Sequence, residues 1–130
     1  MLSVSADGTR WSDPTEALID TGAATTVLYP RPDAAAAGIE VTGRFEVRLE
    51  SAEGREFRAW GERTWIRLFE PEHYWQLQVP VYFADVPEPL IGLELLNSYF
   101  RIHSTPTAWT LVPNKTAART LRLPLRRRRV

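Results

Sequence analysis

The sequence predicts an all-β domain with one or two short helices. Three stretches alternate between apolar and polar residues with a period of two, as half-buried strands do: residues 44–49, 64–69 and 74–83. Helical signals are short, and only residues 32–38 and 93–99 carry them. With 130 residues and 44% hydrophobic content, the chain has the size and composition of one globular domain.

The first internal strand signal is the apolar run at residues 17–19, which ends on Asp20. An ionised carboxylate at the end of a buried strand is costly unless the protein uses it. The triplet Asp20-Thr21-Gly22 therefore has two interpretations. It is a simple turn, in which Asp20 bonds its own backbone and Gly22 supplies a positive φ, or it is part of a functional site.

A β-hairpin is predicted in the middle of the chain. Residues 44–49 form its first strand, residues 51–54 its turn and residues 55–60 its second strand. The break at residues 70–72 then separates the two strands that follow, and residues 109–112 form the last strand.

A second junction lies downstream at residues 89–96, where the apolar pair Leu90-Ile91 runs into Gly92 and a short helical pattern follows. Together with residues 18–23 and the hairpin around residues 49–54, this junction resembles the retropepsin-like aspartic proteases. These are single-domain, dimeric relatives of pepsin. The resemblance extends over about residues 2–112, and its middle part is similar to retrotransposon-type members of the family.

The resemblance implies a closed antiparallel β-barrel of the retropepsin type, active as a homodimer because each chain supplies one catalytic aspartate. Asp20 would be that residue, with two copies sharing one proton and activating a water molecule for peptide-bond hydrolysis. Thr21 would lock the dimer through its hydroxyl, and Gly22 would let the substrate backbone approach closely. The implied activity is that of an aspartic endopeptidase on peptide or protein substrates.

The resemblance also implies a set of substrate-binding residues. The hairpin tip maps onto the flap that closes over substrate in this family, and other positions match residues that line its substrate site. The implied substrate-binding residues are Ala23, Val27, Ala52, Glu53, Gly54, Pro87 and Leu90. Val27, Pro87 and Leu90 are apolar and would equally suit a plain core, so both interpretations stand for them.

Two departures from the family pattern keep a second function open. The hairpin tip has a single glycine, Gly54, and Ala24 and Leu93 stand where many retroviral members carry an Asp–Arg ion pair. Because both charges of that pair are missing together, no unpaired charge remains. The alternative function is a catalytically silent retropepsin-fold module for dimerisation or peptide binding.

The charges divide the chain into a domain at residues 1–113 and a tail at residues 114–130. Seven of the 16 basic residues and none of the 16 acidic ones follow Pro113, so the domain carries a net charge of −7 and the tail +7. The tail has too little apolar content to fold alone, and disorder is expected. Contact of its arginines with nucleic acid or a membrane surface is the less favoured interpretation.

Other chemistries are excluded or disfavoured by composition. The chain has no cysteine, which excludes disulfides and thiolate sites, and His73 and His103 are isolated from carboxylates at metal-ligand spacing. We therefore expect no metal and no cofactor. The first ten residues do not resemble a signal peptide, and no apolar run reaches the roughly 18 residues of a membrane span. A soluble, cytoplasmic protein is expected.

Overall fold

The computed structural model describes residues 1–20, 23, 25–41, 46–51, 53–69, 72–104, 106, 109–113 and 122–124. The described strands are β1 (Leu2–Ser5), β2 (Leu18–Asp20), β3 (Val27–Pro30), β4 (Glu46–Glu50), β5 (Glu56–Phe69), β6 (His73–Ala84), β7 (Leu90–Gly92), β8 (Phe100–Ser104), β9 (Trp109–Pro113) and β10 (Arg122–Pro124). One α-helix, α1 (Leu93–Tyr99), and two 3₁₀ turns, Arg31–Asp33 and Ala35–Ala37, complete the described elements. Within these ranges, no helix has the length and apolarity needed to cross a membrane.

Eight of the strands form one sheet that curls into a half-barrel. Its main path runs β1-β5-β6-β3-β7-β2, with β4 added to β5 and β10 added to β6, while β8 and β9 form a separate two-stranded sheet. The prediction of a mostly β domain with few helices is confirmed. Closure of the barrel is not observed, because β1 and β2 end the path and do not pair with each other in the described part of the chain.

The sheet is mostly antiparallel, but two of its strand pairs are parallel, which the antiparallel barrel implied by the resemblance does not include. β2 pairs in parallel with β7, and β3 pairs in parallel with β6. Both pairs join strands that are far apart along the chain. Alternation and turn signals report only on neighbouring strands, so they indicate hairpins and carry no information about these crossover pairs.

The β4–β5 hairpin is present as predicted, with a turn one residue longer than the sequence indicated. Ser51 N–H donates to the carbonyl of Arg55 at 2.8 Å, and Gly54 N–H donates to that of Ser51 at 3.0 Å. Gly54 adopts a positive φ of 80°, which glycine tolerates without strain. The longer turn pairs Leu49 with Phe57, so these two apolar side chains lie on the same face.

β5 continues unbroken to Phe69, although the sequence indicated separate strands on either side of residues 61–63. Gly61, Glu62 and Arg63 remain paired with β6, opposite Tyr82, Val81 and Pro80. Tertiary pairing with β6 thus extends a segment whose own alternation is weak.

The main core lies between the sheet and α1. Leu95 and Leu96 of α1 are 1% and 0% exposed, and burying each side chain stabilises the fold by roughly 2 kcal/mol. Edge-to-face aromatic pairs add specific contacts: Tyr29 with Phe83 at 6.0 Å and Trp75 with Phe100 at 6.1 Å between ring centroids. The predicted helix at residues 93–99 is confirmed, whereas residues 32–38 form two 3₁₀ turns that end at Gly38 with φ of 76°.

A second, smaller apolar cluster lies beneath the β4–β5 hairpin. Leu28, Ala59 and Ala84 are buried at its centre. The half-buried residues around it are Val47, Leu49, Phe57, Tyr82, Val86 and Leu90. This cluster fixes the hairpin over β3 and the start of β7, and so places it beside the end of β2.

Three residues of the basic tail form a strand that the sequence did not predict. Arg122–Pro124 pairs antiparallel with β6, placing Arg122 opposite Trp75 and Leu123 opposite Tyr74. The division into a domain at residues 1–113 and a tail at residues 114–130 stays a prediction.

Candidate active site

Asp20 lies at the carboxyl end of β2, directly beside Gly92 at the end of β7. β7 lies between β2 and β3, pairing in parallel with β2 and antiparallel with β3. The two motifs that the sequence places 72 residues apart therefore meet in adjacent strands. Asp20 is exposed at this meeting point, so its carboxylate avoids the burial penalty that a strand interior would impose.

The chain after Asp20 is held against the second motif by two backbone hydrogen bonds, and a third lies within the turn that follows Asp20. Gly92 N–H donates to the Thr26 carbonyl at 2.8 Å, and Leu93 N–H donates to the Ala23 carbonyl at 2.7 Å. Ala23 N–H in turn donates to the Asp20 carbonyl at 3.2 Å. These bonds tie the position of Asp20 to the start of α1.

Glycine is required at position 92 by close packing and not by its φ, which is an ordinary −92°. A Cβ at this position would lie 1.9 Å from the Thr25 carbonyl oxygen and 3.0 Å from that of Ala23. Backbone atoms cannot move aside as a side chain can. The bare α-carbon of Gly92 is thus part of how the loop after Asp20 is shaped.

Asp20 borders a cavity of about 590 Å³, here called the Asp20 cavity. The residues that line it are Asp20, Ala23, Thr25, Leu28, Leu49, Glu50, Ser51, Phe57, Val86 and Leu90. The β4–β5 hairpin forms one wall, and β2, β3 and the start of β7 form the other. Leu49 and Phe57 are paired across the hairpin, so their side chains lie on the same face.

The arrangement is that of a mostly apolar cleft that is lined by Asp20 on one side and by the β4–β5 hairpin on the other. A cleft of this size and lining suits an extended peptide with apolar side chains, held where an acid or base can reach its backbone. Comparison with known proteins gives an independent result: a family model described as aspartyl protease matches residues 2–95. The chain belongs to the retropepsin-like aspartyl proteases.

The family match begins in β1 and ends within α1, so it contains Asp20, the β4–β5 hairpin and Gly92. No curated protein and no solved structure gives a significant match to this chain. The resemblance stated from the sequence is therefore confirmed at the level of the family.

The structure brings some of the expected site residues together and leaves others apart. Asp20, Ala23 and Leu90 all line the Asp20 cavity. Glu53 and Gly54 are exposed in the hairpin turn, and Pro87 is exposed in the loop between β6 and β7. Val27 is 0% exposed and packs in the main core. Thr21, Gly22 and Ala52 lie outside the described residues.

Several cavity residues were missed by the sequence analysis: Thr25, Leu28, Phe57 and Val86. Phe57 was missed because the predicted four-residue turn shifts the hairpin register by one position, which reverses the faces of the second strand. A five-residue turn would have predicted the correct register, because it places the two apolar residues Leu49 and Phe57 opposite each other.

Thr25 carries an unusual polar group for this apolar cleft. Its Oγ1 is buried and has no hydrogen-bond partner in the described part of the chain. The neighbouring Thr26 hydroxyl, by contrast, donates to the carbonyl of Pro80. A buried hydroxyl that lacks a partner is costly.

Across the described ranges, no group of three His, Cys, Asp or Glu side chains is arranged to hold a metal ion.

Proposed function

We propose that this chain is an aspartic endopeptidase, in which two Asp20 carboxyls of a homodimer activate a water molecule that hydrolyses peptide bonds. The observation that carries the proposal is the position of Asp20 in the lining of a cleft to which the β4–β5 hairpin also contributes. Membership of the aspartyl protease family supports the same activity.

The need for a second chain follows from the chemistry. One carboxyl cannot both accept a proton from water and donate one to the peptide carbonyl in the same step. The described chain supplies a single Asp20 at the cleft, and a two-fold axis beside this exposed residue would bring in the second. Two carboxyls held close together cannot both ionise, so the pair shares one proton.

The reaction follows from that shared proton. The ionised carboxylate takes a proton from water as the water oxygen attacks the peptide carbonyl carbon, and the protonated carboxyl donates to the carbonyl oxygen. The amide nitrogen of the resulting tetrahedral species then takes a proton from the carboxyl that had accepted one from water, and the carbon–nitrogen bond breaks. One hydroxyl of that species gives its proton to the other carboxylate as the carbonyl re-forms, so the amine and the carboxylic acid leave and the pair again shares one proton. No covalent intermediate with the protein forms.

The hairpin would act as the flap over the substrate. Leu49 and Phe57 present apolar groups toward the cleft, and movement of the hairpin would let a peptide enter and then exclude water from it. Apolar residues on either side of the cleaved bond are expected, since the described walls of the cleft are largely apolar.

The proposal is tested by Asp20→Asn, with Asp13→Asn as the matched control. Asp13 is exposed in the loop before β2 and does not line the cleft. Asp20→Asn is expected to abolish cleavage of a peptide library while the protein still sediments as a dimer, and Asp13→Asn is expected to retain cleavage. Activity that survives Asp20→Asn contradicts the assignment. A wild-type protein that binds peptides but cleaves none between about pH 3 and pH 8 supports the silent binding module instead.

A further inference from the structure

A second groove adjoins the Asp20 cavity. It has a volume of about 480 Å³ and is lined by Arg31, Phe57, Arg58, Trp60, Asp85 and Val86; it is here called the arginine groove. Phe57 and Val86 line both spaces, so the two spaces adjoin at these side chains. The arginine groove is therefore within reach of a peptide longer than the Asp20 cavity.

The groove runs along an unpaired strand edge. β5 pairs with β6 only from Ala59 onward, and residues 56–58 pair with β4 on one side alone. On their other side, no strand partner exists among the described residues. An open strand edge offers backbone donors and acceptors to an extended peptide, which is the conformation that a protease cleft accepts.

Arg31 is held in place at this groove by weak but directional contacts. Its guanidinium lies over the Trp60 ring at 4.8 Å from the centroid, and its Nε contacts Asp85 Oδ1 at 3.3 Å. The Asp85 side chain is 75% exposed, and an ion pair this exposed contributes little, so Asp85 is easily displaced. The contact through Nε leaves the terminal nitrogens of Arg31 available for a carboxylate.

Arg58 adds a second cation with a different role. Its Nε and Nη2 donate to the two carboxylate oxygens of Glu46 at 2.6 and 2.8 Å. The hydrogen bonds from Arg58 hold the pKa of the Glu46 carboxyl below its usual range, so this pair stays ionised in mildly acidic solution. Arg58 also lies over the Trp60 ring, at 5.8 Å, and thus helps to fix the wall against which Arg31 stacks.

We propose that the arginine groove is an extension of the substrate cleft, in which Arg31 binds an acidic side chain of the peptide. The inference rests on the proposed endopeptidase function and specifies its substrate class: extended peptides with an apolar centre and a Glu or Asp some residues away. Its two arginines lie on a domain whose formal net charge is −7, so they provide local positive charge on a chain segment that is acidic as a whole. Guanidinium groups suit carboxylates because they offer paired donors.

Binding and cleavage are measured separately to test this. A set of peptides with one apolar core, glutamine at every flanking position and a single Gln→Glu exchange moved along the chain is titrated into the Asp20→Asn protein by fluorescence anisotropy. At about pH 6 we expect one position at which glutamate binds about tenfold more tightly than glutamine. The preference should disappear near pH 3, where the peptide carboxyl is protonated.

Three variants assign the preference to the groove. Arg31→Gln is expected to reduce the Glu/Gln ratio to about one, and Asp85→Asn to increase it, since a competing carboxylate is removed. Arg10→Gln, an exposed arginine that lines neither space, should leave the ratio unchanged. The proposal is overturned if no position shows a preference, or if the preference survives Arg31→Gln. If the wild-type protein cleaves none of the peptides, the endopeptidase function is contradicted, while the Glu/Gln binding ratios still test the arginine groove. If no peptide binds, both proposals are overturned.

Discussion

The α-carbon of Gly92 packs directly against the carbonyl oxygen of Thr25, so closely that a methyl group at position 92 would lie 1.9 Å from that oxygen. Gly92 also donates its N–H to the next carbonyl, that of Thr26. Gly92 thus determines the path of the segment between Asp20 and Thr25, two residues that line the Asp20 cavity.

Gly92→Ala is expected to destabilise the protein by roughly 3 kcal/mol or more, because the contact is with backbone and cannot be relieved by a rotamer change. Since the displaced loop follows Asp20, cleavage should fall even where the protein remains folded. Urea unfolding and the cleavage rate at a temperature where the variant is folded would measure the two effects. Gly61→Ala is the control: its Cβ would meet the movable ring of Tyr82 at 2.9 Å, so a smaller loss is expected.

Leu90→Ala and Val27→Ala should separate substrate binding from core packing. Leu90 is half-buried and lines the Asp20 cavity, so its truncation should change which residues are accepted beside the cleaved bond. Val27 is fully buried in the core, and its truncation should lower the free energy of unfolding by roughly 2 kcal/mol with little change in specificity. Cleavage profiling of a peptide library and thermal unfolding distinguish these outcomes. A specificity change confined to Val27→Ala would reverse the two assignments.

The proposed dyad predicts a bell-shaped dependence of activity on pH. The working form carries one proton on two carboxyls. The two apparent pKa values that set the limbs of the pH profile therefore belong to the pair of carboxyls and not to either carboxyl alone. We expect an acidic to mildly acidic optimum and loss of activity in alkaline solution, where both carboxyls ionise and repel. The measurement is kcat/KM across the pH range on an uncharged peptide. Activity that keeps rising above about pH 8 is incompatible with a carboxyl pair.

Tyr29 predicts a separate effect of pH on stability. Its ring is 1% exposed, its hydroxyl donates to Ser12 Oγ at 3.1 Å, and burial raises the pKa of that hydroxyl above its ordinary value. Because the pKa is raised in the folded state, the contribution of the protonated Tyr29 hydroxyl to stability is complete below about pH 10. This contribution is lost as the pH rises through the pKa of the folded state. At neutral pH, the free energy of unfolding of Tyr29→Phe should be about 1 kcal/mol lower than that of wild type. Above about pH 10, the free energy of unfolding should fall less steeply with pH for Tyr29→Phe than for wild type. Urea unfolding at both pH values tests this, and parallel curves for the two proteins would contradict it.

Truncation after Asn114 should leave cleavage nearly unchanged. The tail carries seven positive charges against the acidic domain, but exposed charges are screened within about 8 Å at physiological salt and each such pair contributes little. Loss of β10 removes a three-residue partner from the edge of β6, so a small decrease in unfolding temperature is expected. Sedimentation of the truncated protein as a monomer, with the full chain a dimer, would show that the tail takes part in dimerisation.

Local pattern alone determined the strand-rich class, the β4–β5 hairpin, helix α1 and the strand at β9. These elements depend on side-chain periodicity and turn residues, which are properties of neighbouring positions. The motif residues Asp20 and Gly92 were also evident in the sequence, as ends of two apolar runs, and their combination indicated the family that the comparison then confirmed.

The tertiary structure decided which of these pieces meet. Asp20 lies beside Gly92 because β7 inserts between β2 and β3, a parallel pairing that no local signal encodes. It also decided that Val27 packs in the core while Phe57 and Val86 line the Asp20 cavity, since all three are apolar residues in or next to strands. The physical reason is that a strand's apolar residue can face a core or a cleft equally well, and only the packing of distant strands determines which of the two it contacts.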